Sequence, residues 1–208
     1  MDKKNKISCL CGSCKIFLND PTPKFSLLCA CEDCRQGLRW AEKNGGKKPK
    51  DILYSVYFCS DIHSCEGIEN MTATQLRKDA RSTRIYCKKC FSCVAIDHVF
   101  YQNNIFMIQP EHCEYNFDIE SPPKAVINLI DYPGKFADLD SETIPVFHTN
   151  KYPQERNRFR SIEPISDFLC PPKTPAEGMT IRAVISKIGK IKVLDLMRGD
   201  NLEEIQNE

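Results

Sequence analysis

Three cysteines fall within six residues of the segment LCACEDCRQG, at Cys29, Cys31 and Cys34. Thiols this close together suit one soft metal ion, each binding as a thiolate. Four more cysteines stand in two pairs on either side, Cys9 with Cys11 and Cys87 with Cys90, and together they can close a tetrahedral zinc site. A zinc with four protein ligands is structural, whereas three ligands leave one position for water or substrate, the pattern of a catalytic ion. Cys14 makes the first stretch C-x-C-x-x-C as well, an echo of the one at Cys29. Spacing alone does not say which of the two echoes is the three-ligand site.

These residues need elements to position them. Cys9 and Cys11 face the same side if their backbone is extended, and Gly12 permits a turn that brings both thiols to one ion. Pro21 and Pro23 mark a turn, after which FSLLCAC is a short apolar extended run that carries the triad into the interior. Beyond Arg35 the chain reads as weakly helical and then, broken by Gly45, Gly46 and Pro49, as a loop beside the cluster. Trp40, the only tryptophan, either lines a pocket there or packs in the core. Ile52 to Cys59 alternates and predicts a strand, and SDIHSCEGIEN reads as a turn region. His63 and Cys65 lie in it without a partner at a diagnostic spacing.

Met71 to Cys87 predicts two strands around the charged turn at residues 78–81, and Cys87 and Cys90 then occupy a tight C-x-x-C knuckle. Apolar runs on either side of Asn103 and Asn104 predict a hairpin, with His98 read as a structural histidine rather than a base. Pro122 and Pro123 mark another turn, and residues 132–147 read as a loop with aromatic anchors. Past Thr149 the texture becomes charged, with Arg156, Arg158 and Arg160 around Phe159, which suggests a boundary or an arm. Apolar spacing is helical over Ile181, Val184, Ile185 and Ile188 and strand-like from Ile191 to Leu194, and the sequence does not choose between the two.

Composition bounds the rest. A chain of 208 residues with 41% hydrophobic and 27% charged residues predicts one ordinary soluble domain with an appendage, placed at residues 1–148 and 149–208. A net charge of +1 gives no field for drawing in nucleic acid, and no run has the length to span a bilayer. No apolar secretory core precedes the first cysteine, so the expected compartment is cytoplasmic or nuclear. Reducing compartments do not keep disulfide frameworks, so thirteen cysteines point to metal chelation.

Three blocks in order, CLCG, CACEDCR and YCKKC before a hairpin, resemble the glutathione-dependent formaldehyde-activating enzyme and centromere protein V family. The resemblance runs over roughly residues 7–148 and takes in KFADLDSETIPVF near its end. It implies a mainly β, zinc-binding, β-sandwich-like domain with two zinc ions. Cys9, Cys11, Cys87 and Cys90 would hold the structural one, and Cys29, Cys31 and Cys34 the catalytic one. Cys14 departs from the family by standing where an apolar residue is common. Phe91 departs by replacing the glycine after the last C-x-x-C, where a positive φ is needed that phenylalanine resists.

The implied activity is that of a carbon–sulfur lyase acting on adducts of a small thiol such as glutathione with a small aldehyde such as formaldehyde. Three thiolates leave zinc a weak Lewis acid, which favours thiol chemistry over activation of water. Arg35 and Arg39 are candidate clamps for a substrate carboxylate. If Cys14, Cys59, Cys65 or His63 fills the fourth position instead, the second ion is structural and the domain is a non-catalytic binding module for a protein partner.

Overall fold

Residues 5–134, 144–149, 152–169 and 178–197 are described by the computed structural model. Strand alternation builds it around one large sheet. In β4 (Leu53–Cys59), Val56 and Phe58 face one core and Tyr57 the other; in β9 (Ile105–Ile108), Phe106 and Ile108 face the first core and Ile105 and Met107 the second. Buried on both faces, such strands must lie in the middle of a layered structure. They do so beside β3 (Phe25–Cys29), β6 (Met71–Gln75), β7 (Ser82–Cys87), β8 (Cys93–His98), β11 (Pro123–Ile127) and β12 (Lys192–Val193), in the order β11-β3-β4-β9-β8-β7-β6-β12. The second sheet has the order β10-β1-β2-β5, from β1 (Lys6–Ser8), β2 (Lys15–Leu18), β5 (Ile62–Glu66) and β10 (Glu114–Tyr115).

The expected mainly β, two-sheet fold is the one observed. Ile7, Ile16 and Leu18 of the small sheet pack with Val56, Phe58, Met71 and Ile85 on one face of the large sheet. On the opposite face, Leu38 and Ala41 of helix α1 (Glu32–Lys43) pack with Phe25, Leu53, Tyr57 and Tyr86. That second face also receives Phe159 of α2 (Pro153–Arg160) and Ile165 of α3 (Ile165–Leu169), the former edge-on to Phe147 at 5.6 Å. The arginine-rich segment is thus anchored through Phe159 rather than free along its length. No helix among the described residues is long and apolar enough to cross a membrane.

Two local expectations change. Helix α1 starts at the triad, with Cys31 as its N-cap, rather than beyond Arg35, and it ends at Lys43, just before the glycines that the sequence reading takes as its break; Leu38 and Ala41 complete its buried face and glycine geometry closes its end. Gly46 N–H donates to the Ala41 carbonyl at 2.8 Å and Gly45, at φ +104°, donates to Glu42 at 3.0 Å, the paired bonds of a Schellman cap. The His63 segment, read as a turn, is strand β5, paired antiparallel with β2 through Cys65 opposite Ile16. Its polar residues point outward from an edge, which is why no apolar alternation marked it.

At the C-terminal side both readings hold in succession. Helix α4 (Ile181–Ile188) buries Ile181, Val184 and Ile185, and β12 follows. An eight-residue helix is marginal alone, so these three side chains, at about 1.5–3 kcal/mol each, and the Thr180 cap to Ala183 N–H hold it. The loop expected over residues 132–147 lies partly outside the described residues; within them, Val146 bridges to Val126.

Candidate metal centres

Two turns at one end of β1 and β7 make the first centre. Cys9 follows β1, Gly12 at φ +72° donates to the Cys9 carbonyl at 2.9 Å, and the chain returns as β2, so Cys11 sits in a turn rather than on extended backbone. Opposite it, β7 ends on Cys87, and Phe91 N–H donates to the Cys87 carbonyl at 3.0 Å around Cys90. Leu10 N–H donating to Ser92 Oγ at 3.0 Å ties the two turns together.

The four sulfurs of Cys9, Cys11, Cys87 and Cys90 lie within 4.8 Å of one another. Cys9 and Cys11 are 3.5 Å apart and Cys11 and Cys87 3.7 Å. A tetrahedron with metal–sulfur bonds of about 2.3 Å has edges of about 3.8 Å, so the set fits a zinc-sized ion. Backbone N–H groups already point at the sulfurs, Cys14 to Cys9 at 3.2 Å and Lys89 to Cys87 at 3.4 Å, as thiolates require. Burial pushes the Cys9 thiol up to about 12, while the Ser13 hydroxyl pulls Cys11 down to about 6.

Phe91 does take the left-handed conformation, at φ +52°. That conformation costs a non-glycine residue about 1–2 kcal/mol. Its ring meets Trp40 edge-on at 5.6 Å, a contact that contributes about 0.5–1.5 kcal/mol and offsets much of the strain. Trp40, also 5.3 Å from Tyr86, is therefore a packing residue.

The second centre lies on the opposite face of the large sheet. Cys29 ends β3, paired with Leu53 on one side and Ile127 on the other; Cys31 is the N-cap of α1, and Cys34 is in its first turn. The three sulfurs lie within 4.8 Å of one another, and no fourth histidine, cysteine or carboxylate among the described residues joins them. Cys14 points elsewhere, its thiol 3.4 Å from the Asn70 carbonyl. Cys65 packs against the first core, on the other side of the large sheet. His98 accepts a hydrogen bond from Phe100 N–H at 3.1 Å and is pulled down to about 4 by burial, a neutral structural histidine.

Metal-free, the triad resists ionisation. Cys29 is pushed up to about 12, first by its hydrogen bond with Cys31 and then by burial. Cys34 is pushed up by its hydrogen bond with Cys29, and Cys31, lowered by Cys29, is raised more by Cys34 and burial. Metal binding must therefore displace the protons. At about pH 8, loading of the triad is expected to release close to three protons, so affinity rises with pH and is lost as pH falls, by up to about tenfold per thiol per unit. Proton release in a weakly buffered metal titration measures this, and release of about one proton would contradict it.

Arginines surround this helix start, with different roles from those expected. Arg35 is 2% exposed, and its terminal nitrogens donate to the carbonyls of Ala30, Asp51 and Asp131 and to Glu32. Its terminal donors are spent inside the fold, so it fixes the triad's backbone and has none of them left for a substrate carboxylate. Arg39 has a side chain 43% exposed and paired with Glu32 at 2.9 Å. Arg77 grips both Asp33 oxygens at 2.7 Å. Not anticipated at all was Arg84 of β7, which is 2% exposed and donates from Nη2 to the Asp33 carbonyl at 3.1 Å. Burial works against its charge, yet Cys34, Tyr86, Cys93 and Cys31 together hold its proton affinity above the ordinary value. The tyrosines Tyr57, Tyr86 and Tyr101 complete the buried surroundings, and Asn128 Nδ2 lies 3.8 Å from Cys29 Sγ.

Fold and sites together define a mainly β protein with two cysteine groups, each able to hold a metal ion. No protein-family model and no curated protein matches the chain.

Proposed function

We propose that this protein is a zinc-dependent carbon–sulfur lyase acting on adducts of a glutathione-like thiol and a formaldehyde-like aldehyde. The carrying observation is the asymmetry of the two cysteine groups, four convergent sulfurs on one face of the sheet and three on the other. Further support comes from the resemblance of the cysteine blocks to the glutathione-dependent formaldehyde-activating family. In the forward direction the thiol sulfur bonds to the carbonyl carbon and the thiol proton ends on the carbonyl oxygen, giving a hemithioacetal; the reverse breaks that carbon–sulfur bond. Zinc bound by three thiolates supplies a position that prefers a soft thiolate to water.

The chain's own residues supply the rest. Cys29, Cys31 and Cys34 would hold the ion, while the N-terminus of α1 directs its positive end at them and stabilises thiolates. Tyr57, Tyr86 and Tyr101 keep water from the inner side. Arg39, the exposed guanidinium beside the triad, is the remaining clamp for a substrate carboxylate, which would compete with Glu32 for it.

Enclosure of the triad by these tyrosines favours a second reading, a zinc-stabilised binding module without catalysis. A lyase assay with formaldehyde and several low-molecular-weight thiols separates the two. Acceleration of hemithioacetal formation and breakdown by the zinc-loaded protein is expected for at least one thiol, and none with any of them would sink the enzymatic reading.

A further inference from the structure

Arg84 is a buried cation with no carboxylate partner among the described residues. The other guanidiniums at the start of α1 are matched, Arg35 and Arg39 by Glu32 and Arg77 by Asp33. Arg84 has one carbonyl acceptor for Nη2, and its Nη1 is buried without any hydrogen-bond partner. A charge left so is strongly destabilising unless something negative faces it. Around the helix start, Glu32, Asp33 and Asp79 pair with Arg35, Arg39 and Arg77, and among the described residues no carboxylate pairs with Arg84. The one acceptor Arg84 does reach, the Asp33 carbonyl, belongs to the residue directly before Cys34.

The helix is shaped to admit this guanidinium. A Cβ on Gly37 would lie 2.9 Å from Arg84 Nε and 3.1 Å from its Cδ and from Tyr86 Oη, too close for any side chain. A mid-helix glycine weakens a helix relative to alanine, so the sequence gives up helix stability to bring Arg84 within one turn of Cys34.

We propose that Arg84 is the positioning counter-charge of the centre formed by Cys29, Cys31 and Cys34. Its guanidinium offsets the one negative charge of a divalent ion bound by three thiolates, so that an anionic sulfur ligand can join without a second uncompensated charge. This rests on the reading that the triad holds a divalent metal.

The test uses Co2+ as the probe, with its affinity at each centre read from thiolate-to-metal absorption in competition with a chelator. Arg84→Gln is expected to weaken the triad by about tenfold or more and to leave the four-cysteine centre unchanged, while Arg84→Lys, which keeps the charge, recovers most of the affinity. Equal triad affinity in Arg84→Gln and the wild type, or equal losses in the glutamine and lysine variants, would overturn the proposal. If the glutamine variant does not fold, Arg84→Lys decides. Wild-type affinity in it supports the counter-charge, and a tenfold loss in a folded lysine variant rules it out. A wild-type protein that takes up only one Co2+ defeats the metal reading itself, and with it the role of Arg84, and shows this before any variant is made.

Discussion

A chain carrying Cys87→Ser is expected to show no cooperative unfolding transition, with or without added zinc. Cys87 is fully buried at the end of β7, and its sulfur lies 3.7 Å from that of Cys11, 76 residues earlier in the chain. The metal it helps to hold would therefore join the β1–β2 turn to the β7–β8 turn, across both sheets. Structural zinc contributes about 10–16 kcal/mol in small domains, as much as the whole stability of about 5–15 kcal/mol of an ordinary domain. Serine is a poor zinc ligand, and its hydroxyl would be buried where the thiolate was. Circular dichroism through a urea titration measures the outcome. A well-folded Cys87→Ser protein with one bound metal would count against Cys87 as a structural ligand.

Cys31→Ser is expected to do the opposite, leaving the fold intact and removing the chemistry. Cys31 is only half-buried and caps α1 without using its side chain. Serine is a better N-cap and stands to add up to about 1 kcal/mol to the helix, so stability should hold or rise. Metal content should fall from two ions per chain to one, and lyase activity by about a hundredfold or more, since two thiolates no longer fix the ion. Stability, metal analysis and the thiol assay on one preparation read all three. Unchanged activity would remove the triad from the mechanism.

How much of this was legible beforehand follows from what each feature depends on. Both cysteine groups could be read because ligand spacing is local and thiols are chemically distinctive; Ile52 to Cys59 and the strands either side of residues 78–81 could be read because alternation is local too. Strand β5 could not, since it exists through its pairing with β2 and its own residues carry little apolar signal. Arg35 follows the triad in sequence and so looked like a substrate ligand; only the fold shows the carbonyls of Ala30, Asp51 and Asp131 closing around it. Phe91 was doubted on local grounds, and the compensating contact comes from Trp40, 51 residues away.

Arg84 had a signal that went unused. In STRIYC it shares a strand face with Tyr86, opposite Ile85 and Cys87, so the strict period of two already places a cation on an inward face. A charged residue in such a position is seldom buried without a partner, and the triad is the one that the fold brings to it.

The most direct test of the triad as an incomplete, ligand-accepting centre is the visible spectrum of the Co2+-loaded protein during a glutathione titration. Two Co2+ per chain are predicted, with thiolate-to-metal absorption growing as glutathione adds a further sulfur, and with that growth absent in Cys31→Ser. Two Co2+ ions whose spectrum glutathione leaves unchanged would contradict it.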